Sequence, residues 1–596
     1  LKNFTKNTTL PSEQCSNYIF IMSSTLKKLG VFVLLTYQVA GMNNNWPKQF
    51  FYFLIALFLI NILQAGFTQL IYDEAYYWHF AQDMAWGYFD HPPMVAALIK
   101  LSSLVFSGEL GVRFLSCLLS IGTVLLLWDT VSNQSKLQYI PHFFLLIFAM
   151  PLLNAYGFLT LPDTPLLFFT AFFLWTYKKY VKGPNLKWAL LLGVLMAALM
   201  YSKYHAFLVI FLVFLSNLSL VKDKYAWLAL GTALLCYTPH LYWLWDNNWV
   251  STNYHLFDRP NRAYEFMDFT LGYLLNLILI FGLIFPVVYY SVFKQKADSK
   301  FKRCLLFIVL GVLAFFFVSS FNRRVQTQWI IIVCVPAALL TYDFILRHST
   351  ARKWLYRLSL TSAVILLVAR IGLIYEPLFP VTYETHGNIE WAQSVQEVAQ
   401  ERPVVFTNSY RNAPMYAFYS GGTSFSLNNM WYRKNQYSID GSEEKVRGKD
   451  VLLISKKEKE EDFEFTTGRG GLQSGKIKEN FRSYRKLEGT LPDPVPREAD
   501  TLDLTVMNPY PFSVNVDDLS FGMAYLNIYK QVMETHPTQV ILDDTSLPHI
   551  IKAGDTFNCH VLVPKPRNDK HSYIRIGISE NTLFWGLNGK STRIKP

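Results

Sequence analysis

Tyr72-Asp73-Glu74-Ala75-Tyr76-Tyr77-Trp78, followed by Gly87-Tyr88-Phe89-Asp90-His91-Pro92-Pro93-Met94, decides how this chain is read. The stretch comes directly after the first long apolar run, residues 50–67. Two adjacent carboxylates, a patch of aromatic rings and an Asp-His-Pro-Pro turn therefore crowd the mouth of a segment long enough to enter a bilayer. Ionisable groups are costly beside lipid and are kept there for function. The sequence thus places its chemistry at a membrane surface.

Working outward, the chain has 596 residues, 52% of them hydrophobic and only 16% charged. Its apolar residues fall in blocks of bilayer-spanning length. Eleven spans are expected, at 50–67, 110–131, 140–157, 164–180, 187–201, 205–221, 225–245, 270–293, 304–321, 329–346 and 358–376. Several lie near the short limit of about 17 residues. Segment 93–106 reads as a short helix lying at the interface.

The net charge of +12 does not point to nucleic acid, because the basic residues are split among short loops between apolar blocks. Alternate loops carry Lys178, Lys179, Lys182 and Lys187, then Lys222 and Lys224, then Lys294 to Arg303, then Arg347 to Arg357. The positive-inside rule assigns these to the cytoplasm. The opposite side receives Asp73, Glu74, Asp90, His91, Asp163, Lys203, His255, Arg259, Arg262, Arg323 and Arg324. After an odd number of spans, everything beyond about residue 377 shares that side.

Residues 1–41 show neither a clean signal peptide nor a full span and read as a mis-started or leader segment, with a natural cytoplasmic start at Met42. Residues 42–376 form the expected transmembrane domain. Residues 377–480 read as α/β, with a helix at Gly387 to Gln400, strands at Pro403–Thr407 and Val451–Ser455, and a helix ending at Gly421-Gly422. The run Lys456 to Asp462 reads as a solvated loop. Residues 481–596 alternate like strands at 501–506, 525–529, 558–563 and 573–578, suggesting a small β-sandwich. The six cysteines give no disulfide framework: four lie in spans, Cys15 in the leader and Cys559 alone in the tail. The fold class is a polytopic α-helical membrane protein with a C-terminal exported α/β plus β-sandwich region.

Asp73-Glu74, Gly87-Tyr88-Phe89-Asp90-His91-Pro92-Pro93, Leu161-Pro162-Asp163-Thr164-Pro165 and Ser202-Lys203-Tyr204-His205 resemble the bacterial GT-C glycosyltransferases, over residues 45–380. More closely, they are similar to the protein-mannosyltransferase-like and lipid A aminoarabinose-transferase-like family. The run Asn408-Ser409-Tyr410 through Arg433-Lys434-Asn435-Gln436-Tyr437 is similar to the exported domain of many bacterial members. There is no Trp-Trp-Asp-Tyr-Gly motif, which sets the oligosaccharyltransferase branch aside. Aminoarabinose transferases read Glu-Lys-Pro-Pro where this chain has Asp-His-Pro-Pro, which detaches the resemblance from any one substrate.

The resemblance implies transfer of one sugar from a polyprenyl-phosphate donor to an acceptor lipid, glycan or protein on the non-cytoplasmic face of a bacterial inner membrane. The chemistry asks for a carboxylate base at the acceptor hydroxyl and cations at the departing lipid phosphate. Direct attack at the anomeric carbon inverts it. Asp73 matches the family's catalytic aspartate; Glu74 is the second candidate, or orients the loop. Tyr88, Asp90, His91 and Asp163 form the expected substrate loops, with a helix N-cap as the plain alternative for Asp163. Lys203, Arg259, Arg262, Arg323 and Arg324 are the candidate phosphate ligands, with an interfacial anchor as the alternative for the Arg323-Arg324 pair. His255, four residues before Arg259, resembles the family's His-x-x-x-Arg element. With Asp90 and Asp163 it offers a donor set suited to zinc or manganese. The rivals are a multi-span transporter or flippase of a lipid-linked substrate, and a non-catalytic scaffold.

Overall fold

The computed structural model describes residues 46–259, 261–379, 382–455, 463–466, 471–542, 549–567, 570–580 and 584–595. The expectations for the leader and for the charge run 456–462 lie outside the described residues. The chain divides into two compact units, Leu1–Ala56 and Leu57–Pro596. In the first, the described residues 46–56 open on Trp46 and Pro47 and enter the helix Lys48–Phe67.

Each of the eleven apolar segments contains helix, but among the described residues five helices are long and apolar enough to cross a membrane: Lys48–Phe67, Gly108–Thr130, Lys300–Ser319, Thr327–Arg347 and Ser349–Ile374. A sixth is added if Met267–Leu279 and Gly282–Lys294, bent by 91°, count as one span. The expected eleven is thus not reached on length and apolarity. The reasons are local. Segment 140–157 is cut by Pro151 into Ile140–Phe148 and Pro151–Ala155, because a proline removes a helical donor and clashes with the preceding turn. Segment 205–221 is α-helical only over Ala206–Ser216 and passes at Asn217 into the short 3-10 helix Leu218–Lys222. The expected interfacial segment is the helix Met94–Ser103.

The C-terminal region has two layers of different kind. A five-stranded sheet runs in the order Ser424–Leu427, Val404–Thr407, Val451–Ile454, Leu472–Lys478, Phe463–Thr466. Its first three strands are parallel and the last two antiparallel. The helices Asn388–Ala399 and Asn412–Ser420 accompany it. The second of these stops where Gly421 takes a φ of +72°, a left-handed C-terminal turn that glycine enters without strain. Beyond it, two four-stranded antiparallel sheets are built around Ser520–Leu526 with Tyr573–Ser579 and around Thr501–Met507 with Thr556–Leu562. Leu502, Leu504 and Val506 of one sheet and Met523, Ile574 and Ile576 of the other share one core, the arrangement of a β-sandwich. The expected strand at 525–529 is displaced: it ends at Leu526, and Asn527–Tyr529 form the turn to Val532–Thr538.

The α/β sheet is not a separate body. One core contains Tyr76, Tyr77, Phe80, Val95 and Ile99 together with Trp391, Val405, Met415, Tyr416, Tyr437 and Leu453. The helix carrying Asp73 therefore buries one face against the C-terminal region, and this packing fixes the site.

Candidate active site

The helix Tyr72–Gln82 begins with Asp73 and Glu74 in its first turn, where negative charge is favoured by the helix dipole. The two neighbours then diverge. Glu74 is fully buried and faces Arg113, which is also fully buried. Arg113 Nε donates to Glu74 Oε1 at 2.8 Å and a terminal nitrogen to Oε2 at 2.5 Å. The amide of Thr160 donates to Oε1 at 2.9 Å and that of Ile71 to Oε2 at 3.3 Å. Arg113 is in turn anchored on the carbonyls of Ala65, Thr68 and Gln69. Glu74 has no lone pair left for a substrate and ties three segments together, which fits the orienting role and not the base.

Asp73 is half-buried, and among the described residues no donor hydrogen-bonds its carboxylate. Burial raises its pKa above the ordinary carboxylate value. Arg411 pulls it back, Glu384 and Asp90 add to the rise, and Arg433 opposes it. The result is a carboxylate of increased basicity that is free to take a proton.

Asp90 follows in the Asp-His-Pro-Pro turn. Gly87 allows that loop to lie on Trp243, since a Cβ there would meet the ring at 2.3 Å. Tyr88 is spent on the loop itself: its hydroxyl donates to the carbonyls of Phe80 and Asp83 and accepts from the amide of Ala85. Asp90 is buried, with Oδ2 at 3.5 Å from Arg433 and Oδ1 buried without a partner. An orphaned buried carboxylate oxygen of this kind calls for a ligand donor. His91 bonds Tyr77 through Nε2 at 3.0 Å. Burial pushes its pKa down to about 4, so the ring is neutral near pH 7.

Asp163 is the first residue of the helix Asp163–Lys182. It does not act as the N-cap. Both its oxygens receive Lys203 Nζ, at 2.7 and 2.9 Å. Lys203 sits in the extended break between the helices Leu186–Ser202 and Ala206–Ser216. It is therefore a paired cation, not a free one. His255 donates through Nε2 to the carbonyl of Asp90 at 3.0 Å, and its own carbonyl accepts from Arg323 at 3.0 Å. Arg259 lies over Trp329, 5.6 Å from the ring centroid. Arg262 and Arg324 both pair with Asp268. Of the expected cations, the hydrogen bonds thus connect Arg323 to Asp90 by way of His255 and hold Arg262 and Arg324 at a different carboxylate.

Zinc or manganese on Asp90, Asp163 and His255 does not fit this donor set. Asp163 is closed by Lys203, and His255 spends Nε2 on a backbone carbonyl. No three His, Cys, Asp or Glu side chains among the described residues gather closely enough to hold a metal.

Arg411, Arg433 and Glu384 come from the C-terminal region, and the sequence reading did not assign them to the site. Arg433 donates to the Tyr254 hydroxyl at 2.7 Å and stacks 4.5 Å from the Tyr410 ring centroid. Burial works against its charge, but Tyr254, Asp90, Tyr410 and Tyr76 outweigh it and raise its pKa further. Arg411 lies over Tyr72 at 5.6 Å. The docking seam is polar as well as apolar. Gln436 accepts from the amide of Phe89 at 2.9 Å and donates its own amide to the Tyr76 hydroxyl at 2.9 Å. His79 bonds Asp440 at 2.8 Å and stacks on Tyr437. The available signal was the run 408–437, which matched the family's exported domain but carried no role.

The chain is similar in part of its sequence and in its fold to known proteins. The model of the dolichyl-phosphate-mannose-protein mannosyltransferase family matches residues 90–243, which include Asp90, His91, Asp163 and Lys203. ArnT from Cupriavidus metallidurans bound to undecaprenyl phosphate superposes with a TM-score of 0.52 at 12% identity, over 72% of this chain and 97% of that one. The chain has a fold of the GT-C type, shared with this ArnT structure. Apo ArnT from the same organism gives a TM-score of 0.49 at 13% identity, over 68% and 92% of the two chains. The arabinosyltransferase EmbB from Mycobacterium smegmatis gives 0.37 at 10% identity, over 92% and 64%. No curated protein sequence matches significantly. Within the GT-C frame, the helix bearing Asp73 precedes the matched segment, so Asp73 stands on the geometry described above.

Proposed function

We propose that this chain is an integral-membrane glycosyltransferase that moves one sugar from a polyprenyl-phosphate donor to an acceptor on the non-cytoplasmic face, with inversion. The observation that carries the reading is the unbonded Asp73 carboxylate, made more basic by burial and flanked by Arg411 and Arg433. Asp73 takes the acceptor's hydroxyl proton as the oxygen attacks the anomeric carbon. The bond from that carbon to the phosphate oxygen breaks, and the lipid phosphodiester leaves as a monoester with one additional negative charge. Arg433 and Arg411 are placed to offset that charge in a partly desolvated site. The carboxylates Asp73, Asp90 and Asp163 gather around Tyr77 at one end of the helices, which favours transfer over transport.

The test is transfer of radiolabel from a panel of polyprenyl-phosphate sugars to a membrane extract by the purified full chain. Label reaching an acceptor supports the reading. No transfer by folded protein from the whole panel would overturn it.

Arg433→Met is expected to lower kcat by about 10- to 100-fold, the loss of one charged hydrogen bond of roughly 1.5–3 kcal/mol. Arg433→Lys should recover part of it. Equal rates in wild type and Arg433→Met would remove the residue from the site.

The acid limb of the pH–rate profile should report Asp73. The base works only when ionised, so the rate falls as pH drops through its raised pKa. Arg411 lowers that pKa, so Arg411→Met moves the limb to higher pH. Glu384 raises it, so Glu384→Gln moves the limb to lower pH. Limbs that both move the same way would contradict the assignment.

A further inference from the structure

A roomy cavity lies at the other end of the helices. Asp163 opens the helix Asp163–Lys182 at the site, and its far end carries Lys178 and Lys182. Twenty residues at 1.5 Å each put about 30 Å between the ends, the thickness of a bilayer's hydrocarbon core. There, four helix ends enclose a cavity of about 620 Å³. They are the end of Gly108–Thr130 with the loop to Asn133, the end of Asp163–Lys182, the start of Lys300–Ser319 and the end of Cys334–Arg347.

Its charge is one-sided. Lys178, Lys182, Lys300, Lys302 and Arg347 line it, against the single carboxylate of Asp343. Asp343 is already shared, by Lys302 at 3.3 Å and Arg347 at 2.8 Å. Lys178 is held inward, donating to Ser132 Oγ at 2.5 Å and to the Thr130 carbonyl. Among the described residues, Lys182 and Lys300 have no acceptor within bonding distance. The first turn of Lys300–Ser319 opens on the same space and adds the positive end of a helix dipole.

Beside a few hydroxyl and amide groups, much of the remaining lining is apolar. Val181, Phe301, Leu305, Leu339 and Leu340 line it. A positive-inside loop explains cations at a surface, but it does not explain a roomy cavity lined by both cations and hydrocarbon side chains. That pairing matches an amphiphile whose anionic head meets the lysines while its chains follow the apolar wall.

We propose that this cavity binds the headgroup of an anionic phospholipid from the leaflet opposite the active site. The apolar wall selects a lipid over a soluble phosphate. Basic pockets between membrane helices on the cytoplasmic side take such headgroups.

The test uses the full chain in mild detergent, titrated with dioleoyl phosphatidylglycerol or dioleoyl phosphatidylethanolamine and read by native mass spectrometry. Wild type should retain the anionic lipid at least fivefold more than the zwitterionic one. Lys182→Gln combined with Lys300→Gln should bring the two to the same level with an unchanged melting temperature, since both side chains are unpaired. Equal retention of the two lipids by wild type would overturn the proposal, as would a double variant that keeps the preference. Displacement of phosphatidylglycerol by an equal concentration of sn-glycerol 3-phosphate would overturn it too, by showing that the cavity takes a soluble phosphate.

Discussion

Asp73→Asn protein, purified in detergent, should melt at the wild-type temperature and transfer sugar about 10²–10⁴-fold more slowly, the usual worth of a general base. The amide cannot accept the proton. The fold should not feel the change, because among the described residues no donor bonds the Asp73 carboxylate, and the side chain is only half-buried. Single-turnover rates with a bound polyprenyl-phosphate sugar separate chemistry from binding. An Asp73→Asn protein with a near wild-type rate would exclude Asp73 as the base.

Glu74→Ala should do the reverse of what its neighbour does. It leaves the Arg113 guanidinium buried with no counter-charge and strips a bond from the amide of Thr160. Removing one partner of a buried ion pair costs roughly 3–5 kcal/mol, a large part of a typical stability. The protein should melt much lower, expose the segment between Gln69 and Thr160 to proteases, and lose activity only as folded protein is lost. The double variant Glu74→Ala with Arg113→Met should recover stability, because it removes both charges. If Glu74→Gln instead abolished transfer without lowering the melting temperature, Glu74 and not Asp73 would be the base.

The contrast between these adjacent carboxylates shows what a sequence holds and what it does not. That Asp73 and Glu74 stand at a membrane mouth follows from the apolar run before them. Their division of labour depends on Arg113, which lies inside the expected span 110–131, where it carried no role. Likewise, Lys203 and Asp163 were each legible as functional types, but their mutual pairing is a contact between residues 40 apart. The count of eleven spans goes unconfirmed where hydropathy ignores backbone: Pro151 and the 91° bend after Leu279 interrupt helices that composition alone runs together. In the C-terminal region, strands with clean alternation such as Thr501–Met507 and Tyr573–Ser579 were readable. Val532–Thr538, with a proline and mixed polarity, was not. Arg411 and Arg433 were hidden for a simpler reason. Nothing local marks a surface arginine that will be carried to a distant carboxylate.

The shared core of the Asp73 helix and the α/β sheet also sets a schedule. Tyr76 and Gln436, which bond across that seam, are 360 residues apart. At about 5–20 residues per second, the ribosome needs roughly 20–70 s to get from one to the other. Throughout that interval the helix has no sheet to pack on, and neither arginine exists. If Arg411 and Arg433 serve the site as proposed, the nascent chain is inert toward a lipid-linked donor while its helices are still being inserted, and activity begins only when the last third of the polypeptide has been made and folded back.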